Sequence, residues 1–324
     1  MSTPEQWLQA LQTDIDQNAY GAYPAELYEP IRYIMSLSGK RLRPLMTLMA
    51  ASLYTDDWSK ALKPAQAVEV FHNFTLMHDD IMDCAPLRRG KPTVHARWNT
   101  NTAILSGDVM LIKAYDLLLT VDSNRLRSIL VRFNQTATEV CEGQQLDMNF
   151  ETRWDVSEEE YLNMIRLKTS VLLGFALELG GMVGGADEDA TRLLFEAGVS
   201  MGIGFQLKDD LLDVYGDPAK FGKQVGGDIM ANKKTFLLIE ALERARGKAR
   251  ADLDYWLAAD TFDKEEKVQA VTAIYDALGI RTLTEQKIDE YFSRGFDCLG
   301  RVAADPTRKA PLLGFVRQLV EREQ

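Results

Sequence analysis

The stretch Phe71-His72-Asn73-Phe74-Thr75-Leu76-Met77-His78-Asp79-Asp80-Ile81-Met82-Asp83 closes a longer segment that opens at Lys60. Within that segment Ala67, Val70, Phe71, Phe74, Met77 and Ile81 recur at the i, i+3, i+4, i+7 spacing of one helix face. The same period runs through Ile104 to Leu119, Val156 to Met182, Leu193 to Val214 and Phe236 to Ala245, and Ser157 with Glu160 has the spacing of a capping box. Short alternating strands are not apparent, turn signals are few, and no Ser/Pro/Gly linker separates two halves. The pattern predicts an all-α chain forming a single domain over residues 1–324, with ten or more helices. Several are apolar nearly all round, as helices in the centre of a bundle are. The more charged stretch from Lys248 to Gln324 reads as peripheral helices.

Composition narrows the function. The chain has 324 residues, with 37 Lys and Arg against 48 Asp and Glu, a net charge of −11. Non-specific nucleic-acid binding draws on a basic surplus that this chain lacks. A hydrophobic content of 46% argues against disorder. No uninterrupted apolar run reaches the roughly 18 residues of a membrane span, and Met1 to Gln6 lack the basic and apolar regions of a signal peptide. A cytoplasmic location without an integral membrane segment is therefore expected. Cys84, Cys141 and Cys298 form no metal-ligand pattern and read as reduced thiols.

The end of the opening segment has a counterpart. Asp79-Asp80-Ile81-Met82-Asp83 and Asp209-Asp210-Leu211-Leu212-Asp213 share the pattern DDxxD. On a helix, the first and last aspartates of each copy lie one turn apart on one face, where like charges repel by a few tenths of a kcal/mol. Pro86 follows the first copy and Gly216-Asp217-Pro218 the second, so both are expected near helix C-termini, where carboxylates oppose the macrodipole. A bound cation reverses both penalties. Ligands that are all oxygen point to a hard ion such as Mg²⁺, which takes one or two carboxylates and completes its shell with water and phosphate oxygens. Two such sets across a cleft would hold a diphosphate. Basic residues stand nearby in sequence: Gly39-Lys40-Arg41-Leu42-Arg43-Pro44, Arg88-Arg89-Gly90, Lys168-Thr169, Gly222-Lys223 and Lys233-Lys234. Arginine meets phosphate with a planar fork and lysine as a point charge.

Taken in order, these segments together with His72 and Phe205-Gln206-Leu207-Lys208 before the second motif resemble the trans-isoprenyl diphosphate synthases, the polyprenyl synthetase family, over nearly the whole chain. The resemblance implies a helical isoprenoid synthase bundle around an elongated central cavity, usually homodimeric. It implies condensation of isopentenyl diphosphate with an allylic diphosphate, with three Mg²⁺ ions bound alongside the diphosphate. By the same resemblance Asp79, Asp80, Asp83, Asp209, Asp210 and Asp213 are metal ligands. Arg88, Lys168, Lys233 and Lys223 hold the allylic diphosphate, and Lys40, Arg41, His72 and Arg89 hold isopentenyl diphosphate. Thr169 and Gln206 face the reacting carbons.

Helix geometry puts Thr75 one turn before Asp79, Phe74 beside it and Phe71 a turn further down, in the path of a growing hydrocarbon tail. A bulky Phe74, a small Thr75 and no insertion in the first motif resemble short-chain members making geranylgeranyl diphosphate, with farnesyl diphosphate next and longer products third. The competing readings are a class I terpene cyclase, a non-catalytic partner subunit and a structural divalent-ion binder. The second DDxxD and second basic set weigh against the cyclase, and the complete motifs against a silent subunit.

Overall fold

The computed structural model describes residues 3–37, 39–217 and 225–321. It is built from helices, with one two-stranded ribbon among the described residues. In chain order these are α1 Pro4–Gln17, α2 Ala25–Ser36, α3 Leu42–Ser52, α4 Leu62–Met82, strands β1 Leu87–Arg88 and β2 Lys91–Pro92, α5 Val94–Arg97, α6 Thr100–Leu118 and α7 Ser123–Glu151. There follow α8 Glu158–Ile165, α9 Val171–Gly184, α10 Glu188–Tyr215, α11 Gly227–Met230, α12 Phe236–Arg244, α13 Gly247–Ala258, α14 Lys264–Ala277, α15 Ile280–Arg301 and α16 Pro306–Glu321. The all-α expectation is met, and each helix read from periodicity is present with shifted ends. Two compact units can be distinguished. The first comprises Met1–Ala137, Leu172–Glu196 and Leu299–Val316; the second comprises Thr138–Val171, Ala197–Cys298 and Arg317–Gln324.

In the first unit α4 is buried along most of its length and packs on α3 and α6. Phe71 meets Phe133 edge to face at 5.1 Å, and Phe133 also packs against Tyr115 at 5.0 Å and Phe175 at 5.7 Å. Such ring pairs stabilise beyond the area they remove from water. Polar side chains are buried on α4 as well: Gln66, Glu69 and Asn73 are at most 3% exposed. Glu69 pairs with the equally buried Arg41 and accepts from Asn73 Nδ2 at 3.1 Å. The hydrophobic pattern of α4 gave no sign of this polar network.

In the second unit the Ser157–Glu160 capping box opens α8 as expected. The core includes Tyr161, Met164, Leu207, Phe236, Leu238 and Tyr275, and Phe205 meets Phe292 at 5.1 Å. Between α8 and α9 the chain makes a π turn over Arg166–Ser170. Gly143 of α7 lies against the backbone of Leu167 and Lys168 so closely that a β-carbon there would overlap main-chain atoms.

The run Glu158–Gly184 is long and apolar enough to cross a membrane by length and composition. Within it 78% of the most apolar window is buried in the protein's own interior, which accounts for the apolar character.

Phe133 is fully buried at the centre of the ring cluster. Phe133→Ala is therefore expected to lower unfolding free energy by about 3–5 kcal/mol. Urea denaturation checks this, and an unchanged midpoint would mean the cluster contributes little.

Candidate active site

The first aspartate motif occupies the end of α4, with Asp83 as its C-cap and the Asp83 amide still bonded to the Asp79 carbonyl at 2.8 Å. Helical geometry thus persists through the motif and keeps Asp79 and Asp83 one turn apart. The three carboxylates differ in environment. Asp83 is exposed and Asp79 half-buried, but Asp80 is only 2% exposed. Arg88 grips Asp80 with Nε 2.9 Å from both carboxylate oxygens and Nη2 2.8 Å from Oδ1. Burial raises the Asp80 pKa, and the Arg88 bonds oppose the rise.

Arg88 is delivered by a tight hairpin. Leu87 pairs with Pro92 and Arg88 with Lys91, leaving Arg89-Gly90 as a two-residue turn with φ of 52° and 72°. Positive φ at both central residues gives the twist that matches paired strands.

Next to this motif the first unit gathers cations. Arg43 Nη1 lies 3.3 Å from His72 Nε2. Burial lowers the Arg43 pKa, and Arg89 lowers it further while Glu69 opposes. For Arg89 burial again comes first, with Arg41 and Arg88 adding to the depression. His72 falls well below the ordinary imidazole value, through burial and then through Arg43, Arg89, Arg88 and Arg41. A neutral imidazole among guanidinium groups is what such crowding dictates, and an anion would relieve it. Lys40 is exposed on the approach to α3.

Arg41, expected among the anion-binding residues, has another place. It sits at the head of α3 with φ of 46°, and its guanidinium turns inward to Glu69 and to the Met35 and Leu37 carbonyls. Arg43, two residues on and not singled out from sequence, is the arginine that reaches His72.

The second motif lies near the end of α10 and repeats the division. Asp209 is exposed, Asp213 half-buried and Asp210 3% exposed. Asp210 accepts from the Tyr161 hydroxyl and from Gln206 Nε2 at 3.0 Å, while Thr169 donates to Gln206 Oε1 at 3.3 Å. Burial pushes the Asp210 carboxyl up to about 7; Lys233 lowers it and Asp228 raises it. Asp213 accepts from the Asp228 amide at 2.8 Å.

Lys168 rides on the π turn, a feature frequent at functional sites, and its Nζ lies 2.5 Å from Asp147 Oδ2. Lys233 stands 4.0 Å from Asp228. Partial burial works against the Lys233 charge, but Asp228, Asp210, Asp147 and Asp209 outweigh it and raise its pKa. Asp228 is itself pushed up to about 6 by burial, with Lys233 opposing and neighbouring aspartates reinforcing. Asp147 and Tyr161 had no sequence signal, because their partners Lys168 and Asp210 lie 21 and 49 residues away; Asp228 is near Asp213 and Lys233 in the chain but belongs to no motif. Lys223 lies outside the described residues.

Among the described residues no group of three or more carboxylate, imidazole or thiol side chains forms a ready metal cage. The donors nevertheless fit Mg²⁺, since the outer aspartates are carboxylates on open faces and this ion needs only one or two before phosphate completes its shell.

Phe71 is buried in the ring cluster, while Phe74 packs between Phe71 at 5.6 Å and His78 at 4.8 Å. His78 Nε2 lies 3.1 Å from the Ile104 carbonyl of α6, and Thr75 is tied to the His72 carbonyl at 2.8 Å.

Helices carrying paired aspartate motifs beside clustered cations define a class, and the polyprenyl synthetase family model matches residues 24–275. The chain belongs to that family and is a prenyltransferase. It is 41% identical over 310 residues to the geranylgeranyl diphosphate synthase of Methanosarcina mazei, covering 93% of this chain and 91% of that one. A crystal structure of a geranylgeranyl pyrophosphate synthase, 44% identical, matches with a TM-score of 0.95 over 100% of both chains. The geranylgeranyl pyrophosphate synthase of Corynebacterium glutamicum, solved with calcium and isoprenyl diphosphate, matches at 26% identity and a TM-score of 0.82, covering 98% of this chain and 96% of that one.

His72 is expected to remain mostly neutral in the substrate-free protein at pH 6.5, where an ordinary histidine is half protonated. Imidazole ¹⁵N NMR reads this directly, and a midpoint at or above 6.5 would contradict it.

Proposed function

We propose that the chain condenses isopentenyl diphosphate with an allylic diphosphate to give geranylgeranyl diphosphate and pyrophosphate. Residues 1–324 are read as one polyprenyl synthetase domain. The observation that carries this reading is the repeated division of the aspartate motifs, with a buried middle carboxylate and outer ones on more open faces. The relationship to geranylgeranyl diphosphate synthases supports the substrate class.

Asp79 and Asp83 on α4, and Asp209 with Asp213 on α10, would hold Mg²⁺, three ions per site with the diphosphate. Bound there, Mg²⁺ would supply Lewis-acid stabilisation of the charge that collects on departing pyrophosphate. Asp80 and Asp210 hold their helices through Arg88 and through Tyr161 of α8. Lys168, paired with Asp147, and Lys233, kept charged by neighbouring aspartates, bind and orient the allylic diphosphate. Arg43, Arg89, Lys40 and neutral His72 hold isopentenyl diphosphate by charge and hydrogen bonding.

The allylic C–O bond breaks and its electron pair leaves on pyrophosphate. The double bond of isopentenyl diphosphate attacks the allylic cation to form the new C–C bond, and a proton passes to pyrophosphate. Thr169 and Gln206 stand beside the reacting carbons. Exclusion of water keeps the cation from being trapped as an alcohol.

Phe74, braced by Phe71 and by His78, which reaches the Ile104 carbonyl of α6, forms the floor that sets product length. Mass analysis of products from C5, C10 and C15 starters should show a C20 main product, and Phe74→Ala should shift it to longer chains. A farnesyl main product, or unchanged length in the variant, would overturn the assignment of length.

The same reading includes a homodimer. Leu105, Ile112 and Leu119 are 55–58% exposed and recur every seven residues on one face of α6 and its C-terminal end, and Val131 of α7 is exposed to the same degree. Exposed apolar residues in such a row favour a partner surface. Light scattering should give twice the chain mass, falling to one in Leu105→Asp/Ile112→Asp; a dimer unaffected by that change would place the interface elsewhere.

A further inference from the structure

The segment bearing Lys233 has little regular structure of its own, being a short α11, a turn and the lead into α12. Its conformation is demanding. Gly226 has φ of 86° and Asn232, a non-glycine, has φ of 52°. The Asn232 amide N–H bonds the Ile229 carbonyl at 3.2 Å, and Lys233 N–H bonds the Asp228 carbonyl at 2.9 Å. A left-handed residue of this kind persists only where its surroundings fix it.

What fixes it is α14. Lys267, on that helix, is fully buried, and its Nζ donates to Asn232 Oδ1 at 2.7 Å. The ammonium also lies 4.1 Å from the centre of the Phe262 ring. Asn232 Nδ2 in turn donates to the Leu257 carbonyl at 3.2 Å. The amide of Asn232 is therefore clamped at both ends, and the residue that follows it is Lys233. One residue along α14, Val268 lies so near Gly226 that a β-carbon there would come within 2.6 Å of it. The helix thus pins the segment on both sides of α11.

Burying an ammonium away from any carboxylate is costly. A lysine whose neighbours here are an amide oxygen and an aromatic face is a poor choice for mere packing, where methionine or leucine would serve. We infer that Lys267 is a positioning residue for prenyl transfer: through Asn232 it fixes the turn that aims Lys233 at the allylic diphosphate. This rests on the role proposed above for Lys233. Neither Lys267 nor Asn232 touches substrate in this account.

The test compares Lys233→Ala, Lys267→Met, Asn232→Gly and the double variant Lys267→Met/Asn232→Gly in the full-length enzyme, with KM measured separately for each substrate. Asn232→Gly keeps a residue at ease with positive φ but removes the amide, so it separates backbone preference from the clamp. Lys267→Met and Asn232→Gly should each raise KM for the allylic diphosphate between roughly tenfold and a hundredfold, as displacement of a binding group does. KM for isopentenyl diphosphate should stay within about twofold. The double variant should match the singles, because both break one link. If Asn232→Gly leaves the allylic KM unchanged, or if both KM values rise together, the inference is overturned. An unchanged allylic KM in Lys233→Ala would instead overturn the role given to Lys233. Should Lys267→Met fail to fold, Asn232→Gly decides the question alone.

Discussion

Each aspartate motif divides its carboxylates between burial and exposure, and the rest of the structure follows from that constraint. A carboxylate one residue from the ligand position, on the same helix, must point elsewhere. Asp80 points into the first unit and is neutralised by the fork of Arg88. Asp210 points into the second and is held by a phenol and an amide, without a cation in direct contact. The second arrangement leaves charge less well compensated, and burial drives that carboxyl up to about 7. Both middle aspartates fix the rotation of their helices, so the outer aspartates are presented by a backbone that is already set. Preorganisation of this kind reduces what binding must spend on ordering.

The cations follow a matching rule. Where guanidinium groups crowd, burial first and neighbouring arginines next lower the pKa of Arg43 and of Arg89 and keep His72 neutral. Glu69 lies within electrostatic reach of both arginines, but its direct bonds are to Arg41 and Asn73. Lys233 of the second unit has the opposite environment, surrounded by aspartates that keep it charged. A pocket with uncompensated arginines accepts a diphosphate without metal, and lysines embedded among carboxylates suit a diphosphate that arrives with divalent ions. The roles proposed above thus give each substrate the charge environment that suits its binding mode. The net charge of −11 is no obstacle to this, because it describes the whole chain and not these local fields.

Much of this was legible in the sequence. Helical period fixed the class of fold, because apolar spacing reports directly on which face is buried, and the two DDxxD copies marked their helices. The roles within each motif were not legible, since three aspartates look alike until the surroundings decide which is buried. The different placements of Arg41 and Arg43 were not legible for a similar reason: two arginines separated by a single residue at a helix start diverge with a left-handed φ at Arg41 that arginine rarely adopts and that no local pattern signals. Asp147 and Tyr161 escaped because their partners are distant in the chain. The helix read over Val156 to Met182 is present, but the π turn at Arg166–Ser170 that divides it left no mark in the apolar period.

The dependence of turnover on Mg²⁺ tests the central claim most directly. Pyrophosphate release from isopentenyl diphosphate and an allylic diphosphate should vanish in excess EDTA and return on adding Mg²⁺. In Asp79→Asn the Mg²⁺ concentration giving half-maximal rate should rise by roughly tenfold or more, as loss of one carboxylate ligand requires. Full turnover in EDTA, or an unchanged Mg²⁺ requirement in Asp79→Asn, would contradict the account.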